Sequence, residues 1–376
     1  MNFWVKSALT TILLSGRGLA GAAALLPEPD PKRLEADLAY LASPGLAGRE
    51  TGTPGAELAA AFLSAEMQDL ALTPIQDGGF GAVTPFHWPW TYWGGFGSWG
   101  PDFAAASAIR PLQGDTVCNV VGVIPGRDPV LRGEYVFVTA HFDHLGVHYG
   151  TWFPGADDNA SGTAGMLEVM RLLRHSSPRR TLAFLAVCGE EEGLLGSEQF
   201  LAHPPVPLEA IKADINLDMV GRGRKGELHI MPAKREGYVT TLTREARVRA
   251  AAHGVTLSAG IEDHWRDSDH YSFARRRIPS VCFNTGLHAD YHQPTDTPDK
   301  INFKGLANVV RIVRDLALET ADAEAAPSVL PASEWKAWAW GPYRSPGLDP
   351  AIPVLHAPAQ AAEADGQLPA CVGFSR

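Results

Sequence analysis

EYVFVTAHFD, residues 134–143, joins a strongly apolar run to a polar end. The first seven residues are rich in β-branched and aromatic side chains, which favour strands. The run has few polar residues, and this is typical of a parallel sheet that is covered on both faces. His141 and Asp143 follow the apolar run directly. Open sheets of this kind bind ligands beyond the carboxyl ends of their strands, so this stretch predicts an α/β domain with a polar site at that edge.

Similar apolar runs recur along the chain and alternate with segments of helical periodicity. This alternation predicts a single three-layer α/β/α domain with a mostly parallel, mixed central sheet. Two further helices are expected before the sheet, from Pro31 to Ala42 and from Gly55 to Leu72. The apolar runs are CNVVGVIP (118–125), TLAFLAVC (181–188), ADINLDMV (213–220) and PSVCFN (279–284), and the helical segments lie near 160–174, 194–202, 238–253 and 303–320.

The chain divides into three parts by composition. Residues 1–24 have Lys6, a short apolar run and a small-residue stretch at the end, and this pattern predicts a signal peptide. The run is shorter than the roughly 20 residues that cross a bilayer, so we expect export to the periplasm or beyond without a permanent membrane span. The alternative is an ordinary N-terminal helix. The α/β domain is expected over 25–325, with a Trp-, Gly- and Pro-rich insertion at 78–116, and an Ala- and Pro-rich extension is expected over 326–376.

Charge and cysteine content exclude some functions. The chain has a formal net charge of -10 and a pI near 5.7, and an acidic protein lacks the clustered basic residues that bind nucleic acid. Its four cysteines show no paired metal-binding spacing. A disulfide is compatible with export but cannot be assigned from the sequence, and the oligomeric state is equally open.

Two acidic segments carry the strongest chemical signal. GADDNASG, residues 155–162, has adjacent carboxylates in a turn before a helix, and we expect Asp157 to bridge two metal ions. The alternative is a helix cap. GEEEGLLGS, residues 189–197, places three glutamates after an apolar strand, where their repulsion is costly unless a cation lies among them. If one glutamate binds metal, its neighbour is placed to act as general base.

Three more residues complete the candidate set. Asp218 lies in an apolar run, where a buried carboxylate needs a cation or an ion pair. His292 lies in the turn-rich segment DYHQPTDTPD beside Tyr291, and alone it would be an ordinary loop histidine. Asp143 is expected to orient the imidazole of His141. Nitrogen and oxygen donors of this kind suit two zinc ions or similar divalent ions, with three protein ligands on each. The expected metal ligands are His141, Asp157, Asp218, His292 and one glutamate of the 189–197 segment.

These segments, in this order, resemble the co-catalytic zinc aminopeptidases of peptidase clan MH, family M28. Bacterial secreted members carry HxD, GADDNASG, GEExGLxGS, a strand ending in LDM and a late YHxPxDT segment, and the similarity extends from about Leu41 to about Glu319. The resemblance implies hydrolysis of the N-terminal bond of peptides that have a free N-terminus. It pairs His141 with Asp218 on one ion and Glu191 with His292 on the other.

The resemblance also implies roles for the remaining residues. Glu190 matches the general base, and Tyr291 matches a group that stabilises the oxyanion. Three other functions remain open within the same fold: a glutaminyl cyclase, a carboxypeptidase or dipeptidase, and a non-catalytic binding domain. The cyclases usually have Trp where this chain has Tyr291, and the non-catalytic relatives tend to lose ligands that this chain keeps.

Overall fold

A computed structural model describes residues 26–76, 79–80, 119–223, 227–231, 239–259 and 264–331. The expected signal peptide at 1–24, nearly all of the 78–116 insertion and most of the 326–376 extension lie outside the described residues, and these assignments stay predictions. The first part of the extension is described. Val329 forms an antiparallel bridge with Thr240, and the side chain of Leu330 is buried.

The central sheet has eight strands in the order β1-β2-β6-β3-β7-β10-β8-β9. Its four central strands are mutually parallel, while β2 pairs antiparallel with β6, and β8 pairs antiparallel with β10. The strands are β1 (Thr73–Pro74), β2 (Val120–Ile124), β3 (Tyr135–His141), β6 (Thr181–Val187), β7 (Ile211–Leu217), β8 (Glu227–Ile230), β9 (Thr256–Ala259) and β10 (Ser280–Asn284), and a separate hairpin is formed by β4 (Val147–His148) and β5 (Thr151–Trp152).

Seven α-helices occur in the described residues. The bounds of six agree closely with the expected segments, whereas the short helix His270–Ala274 was not expected from the sequence. Asp30 caps the first helix by accepting from the Lys32 amide, and Pro31 occupies its first turn. The helices are α1 (Pro31–Leu41), α2 (Pro54–Asp69), α3 (Gly162–Leu173), α4 (Leu195–Ala202), α5 (Thr241–Ala252), α6 (His270–Ala274) and α7 (Phe303–Asp322).

The core lies on both faces of the sheet. Along β3, Val136 and Val138 join the cluster under α1, α3 and α7, whereas Phe137 joins Phe200 and Phe273 on the opposite face. This alternation follows from the two-residue period of a strand. The expected three-layer domain with a mostly parallel, mixed sheet is confirmed. Among the described residues, no helix combines the length and the apolar character that crossing a bilayer requires.

Candidate metal centre

The candidate residues converge at the carboxyl edge of the parallel strands. His141 ends β3, Glu190 and Glu191 follow β6, Asp218 follows β7, and His292 lies in the loop after β10. These strands are neighbours in the sheet, so residues far apart in the sequence come together. The arrangement is the one that the strand pattern predicts for an α/β sheet.

The first group of donors surrounds the Nε2 atom of His141. This atom lies 3.5 Å from Oδ1 of Asp218 and 3.4 Å from Oδ1 of Asp158. On the other side of the ring, Nδ1 lies 3.3 Å from the backbone carbonyl of Asp143 and 3.7 Å from its carboxylate. Asp143 also accepts from the hydroxyl of Thr51 and from the amide of Glu190. The ring therefore directs Nε2 toward the two carboxylates.

The second group surrounds the Nε2 atom of His292. This atom lies 3.0 Å from Oδ2 of Asp158 and 3.2 Å from Oε2 of Glu191. The remaining oxygen of Glu191, Oε1, lies 2.7 Å from Nδ1 of His144. Asp158 thus contacts both imidazoles, one with each of its carboxylate oxygens.

The structure places Asp158, and not Asp157, between His141 and His292, so the expected placement of Asp157 at this point is corrected. The Asp157 carboxylate accepts from the Gly221 amide at 2.7 Å and lies 3.0 Å from Nε2 of His288. Asp296 accepts from the amides of both aspartates at 2.8 and 3.1 Å and so fixes the turn. Held in this way, the turn directs Asp158 into the site and Asp157 away from it.

The spacing and chemistry of these atoms fit divalent zinc. Donors about 2.0–2.1 Å from a tetrahedral zinc ion lie roughly 3.3 Å from one another, close to the separations found around His141 and His292. Nε2 of His141 and Oδ1 of Asp218 are buried and have no hydrogen-bond partner among the described residues. Such atoms are costly to bury unless something else binds them. Two clusters that could hold a metal are His141, Glu190 and Asp218, and His144, Asp158 and Glu191.

The carboxylates of the site differ in their affinity for protons. Burial raises the pKa of Glu190 well above its ordinary value, and the negative charges of Glu191 and Asp218 add to this effect, although the His141 charge opposes it. Burial also acts on Glu191, but His292 and His144 outweigh it and lower the Glu191 pKa to about 2. Two adjacent glutamates are therefore tuned in opposite directions, which suits a proton acceptor beside a metal ligand.

Glu190 and Tyr291 line the cleft beside both groups of donors. Oε2 of Glu190 lies 4.0 Å from Nε2 of His141, and the Glu190 side chain keeps 10% of its surface exposed. The Tyr291 ring stacks on His292 with 3.8 Å between centroids, and burial raises the pKa of its hydroxyl well above the ordinary value. Other residues of the cleft are Met219, Met231, His264, Asp267 and Leu287.

Sequence reasoning missed two polar residues of the site, His144 and Asp296. His144 follows the HxD motif directly, and its buried ring contacts Glu191. Its position just beyond β3 was the available signal, because polar residues at strand ends gather at the same edge. Asp296 is the Asp of the YHxPxDT segment, four residues after His292, and this motif was the available signal, although it does not indicate that Asp296 contacts the aspartate pair.

Arg49 is a fully buried cation that ties three segments together beneath the site. Its guanidinium donates to the carbonyls of Phe142 at 2.7 Å, Pro154 at 2.9 Å and Gly155 at 3.0 Å, and it also donates to the carbonyl of Leu41. It therefore joins the N-terminal segment to the loops that carry His141 and Asp158.

Arg49→Met should lower the free energy of unfolding of the metal-free protein by at least about 3 kcal/mol, because several buried carbonyls lose a charged donor. Arg49→Lys should recover only part of this loss, since one ammonium group cannot reach all four carbonyls. Urea unfolding measures both effects, and the exposed Arg33→Met is the control. An Arg49→Met protein within 1 kcal/mol of wild type, taken as roughly the worth of one ordinary hydrogen bond, would contradict the expectation.

Comparison with known proteins supports the same chemistry. The model of peptidase family M28 matches residues 119–317. Aminopeptidase YwaD of Bacillus subtilis is 28% identical over 236 residues, a match that covers 60% of this chain and 50% of that protein. The aligned part of the chain thus spans half the length of this curated relative.

Solved structures show the same fold. BSAP, a zinc aminopeptidase from Bacillus subtilis, superposes with a TM-score of 0.61 at 20% identity, covering 80% of this chain and 96% of that one. A glutaminyl cyclase from Porphyromonas gingivalis superposes with a TM-score of 0.57 at 16% identity, covering 77% and 98%. Since two different activities share this fold, the fold alone does not choose between them.

Proposed function

The chain belongs to peptidase family M28, whose model matches more than half of it, and on this basis we propose that it is a zinc-dependent aminopeptidase. One observation carries the proposal: Asp158 contacts His141 with one oxygen and His292 with the other. A carboxylate in that position can bridge two cations, each of which also has its own histidine and its own carboxylate.

Two zinc ions are proposed, and each would have three protein donors. His141, Asp218 and one oxygen of Asp158 would hold the first. His292, Glu191 and the other oxygen of Asp158 would hold the second. Catalytic zinc sites characteristically have three protein ligands and a position left open. The proposal covers the same donors as the sequence-based set, with Asp158 in place of Asp157.

When bound, the zinc ions would polarise the scissile carbonyl and make an attacking water more acidic. Glu190 would accept the proton of that water and donate it to the departing amine, so that one residue serves first as base and then as acid. Tyr291 would donate its neutral hydroxyl to the oxyanion that develops on the carbonyl oxygen. Asp143 would keep the His141 ring in the orientation that exposes Nε2 to the metal.

The substrates proposed are peptides with a free N-terminus and an apolar first residue. Met219, Met231 and Leu287 are apolar residues among those that line the cleft, and such residues bind an apolar side chain by removing it from water. The acidic centre would attract the free α-amino group of the peptide. Export is proposed on the N-terminal pattern, which lies outside the described residues.

Hydrolysis of aminoacyl p-nitroanilides tests the proposal. Purified protein should cleave leucyl and methionyl substrates and should fail on their N-acetylated counterparts, because acetylation removes the charged amine. A chelator should abolish cleavage, and added zinc should restore it. Three results would contradict the proposal: equal cleavage of blocked substrates, no cleavage by folded and zinc-loaded protein, and cyclisation of N-terminal glutamine in place of hydrolysis.

A further inference from the structure

The two carboxylate oxygens of Glu191 have different partners. Oε2 lies 3.2 Å from Nε2 of His292, on the side of the proposed second zinc. Oε1 lies 2.7 Å from Nδ1 of His144, which is a hydrogen-bond distance. An ionised carboxylate only accepts, so His144 is the donor and carries its proton on Nδ1.

The ring of His144 is held rigidly in this position. Its side chain is completely buried, its amide donates to the carbonyl of Arg49 at 3.3 Å, and its ring meets that of His292 edge to face at 5.8 Å. Gly155 provides the space, because a Cβ atom there would lie 2.4 Å from two atoms of the imidazole. Burying an imidazole removes it from water, and the hydrogen bond between Nδ1 and Glu191 offsets part of that cost.

The distances argue against His144 as a ligand of the second zinc. Two donors on one tetrahedral zinc lie roughly 3.3 Å apart, and Nδ1 is closer than that to Oε1 of Glu191. Nδ1 is also 3.9 Å from the nearer oxygen of Asp158, whereas Nε2 of His292 is 3.0 Å from it. His292 therefore has the ligand geometry, and His144 has that of a hydrogen-bond donor to a ligand.

We propose that His144 is a positioning residue that makes Glu191 a one-oxygen ligand of the second zinc. A free carboxylate can bind a metal through both oxygens and fill an additional coordination position. By holding Oε1, His144 leaves only Oε2 for the metal, and a position stays open for water or substrate. The inference rests on the proposed two-zinc function and adds the coordination of one ion.

Variants at position 144 test this role through zinc affinity and the spectrum of the cobalt-substituted protein. His144→Leu removes the donor, whereas His144→Asn keeps an N–H group in a similar place. The Leu variant should bind the second zinc roughly 10- to 100-fold less tightly than wild type, which is the typical cost of losing a hydrogen bond to a metal ligand. Its cobalt absorption should also weaken, because higher coordination numbers absorb less. The Asn variant should stay within a few-fold of wild type.

His253→Leu is the matched control, since His253 contacts Asp315 near the surface, far from the site in the fold. If His144→Leu leaves both zinc affinities and the cobalt spectrum unchanged, the inference is wrong. If the Asn variant loses the second zinc as completely as the Leu variant, His144 is a ligand and the inference is equally wrong. A wild-type protein that binds no zinc would overturn the proposed function as well, so the two failures are distinguishable.

A measurement on wild-type protein covers the case in which a variant does not fold. Ring-nitrogen NMR of the zinc-loaded protein should show a proton on Nδ1 of His144, with zinc-bound nitrogens only on His141 and His292. The His144 signals are assigned in the wild-type protein, through their correlations with the backbone of residue 144. A His144 nitrogen bonded directly to the metal would overturn the proposal, and a protonated Nδ1 in a slowly exchanging signal supports it.

Discussion

Replacing Glu190 with glutamine should lower kcat by about 10²- to 10⁴-fold while the protein keeps its zinc. Glutamine has nearly the same shape but cannot accept a proton at neutral pH. The backbone amide of residue 190 should still donate to Asp143, so the local fold is preserved. Because Glu190 is proposed to move a proton and not to hold a metal, the loss should fall on kcat and not on zinc content.

Glu192→Gln is the control for this prediction. Glu192 lies in the same acidic segment, but within the described chain it belongs to neither cluster of possible metal-binding groups. Its substitution should change kcat far less than the roughly 10²-fold or more that loss of a general base costs, because Glu192 is proposed neither to hold a metal nor to move a proton. Steady-state kinetics and metal analysis on the same samples separate the two effects. A Glu190→Gln enzyme within tenfold of wild type would rule out this residue as the general base.

Asp158→Asn should abolish binding of at least one zinc ion and lower kcat/KM by more than about 10³-fold, because the bridging ligand loses its charge. An amide has one oxygen and therefore cannot contact both ions. Asp157→Asn should keep both ions, since the Asp157 carboxylate contacts Gly221 and His288 instead. Metal analysis by mass spectrometry and kcat/KM for leucyl p-nitroanilide measure the contrast.

The pair of variants is its own control, because both make the same chemical change in adjacent residues. Asp157→Asn should lower activity by no more than about tenfold, through a small shift of the turn that Asp296 holds. If Asp157→Asn loses zinc and Asp158→Asn keeps it, Asp157 is the bridging ligand after all and the geometry described above does not represent the active protein.

The sequence predicts the middle of the sheet well and its edges poorly. Strands such as β6 (Thr181–Val187) are nearly continuous apolar runs that are suited to burial on both faces, although β7 also contains Lys212, Asp214 and Asn216. The last two strands on one side of the sheet, β8 and the edge strand β9, have only four residues each. Their sequences, ELHI and TLSA, are too short and too mixed to show a clear period. The sequence also does not indicate that β2 is antiparallel to β6, because VVGVI would suit either orientation.

The sequence finds the type of site but not every ligand. It identifies His141, Glu191 and His292 because each follows a strand or lies in a motif. It cannot separate Asp157 from Asp158, which are the same residue type side by side. The two side chains point to different places because Asp296, far along the chain, accepts hydrogen bonds from the amides of both aspartates and fixes the turn. Contacts over such separations follow from the completed fold and leave no local pattern.

The positions of the proposed zinc donors indicate the order of events in folding. His141 and His292 come together only when β3 pairs with β7 and β7 pairs with β10. Contacts between such distant positions cost loop-closure entropy and therefore form late. A partly assembled sheet would hold too few donors to retain the metal. Bound zinc should therefore slow unfolding of the native protein and have little effect on the early steps of folding.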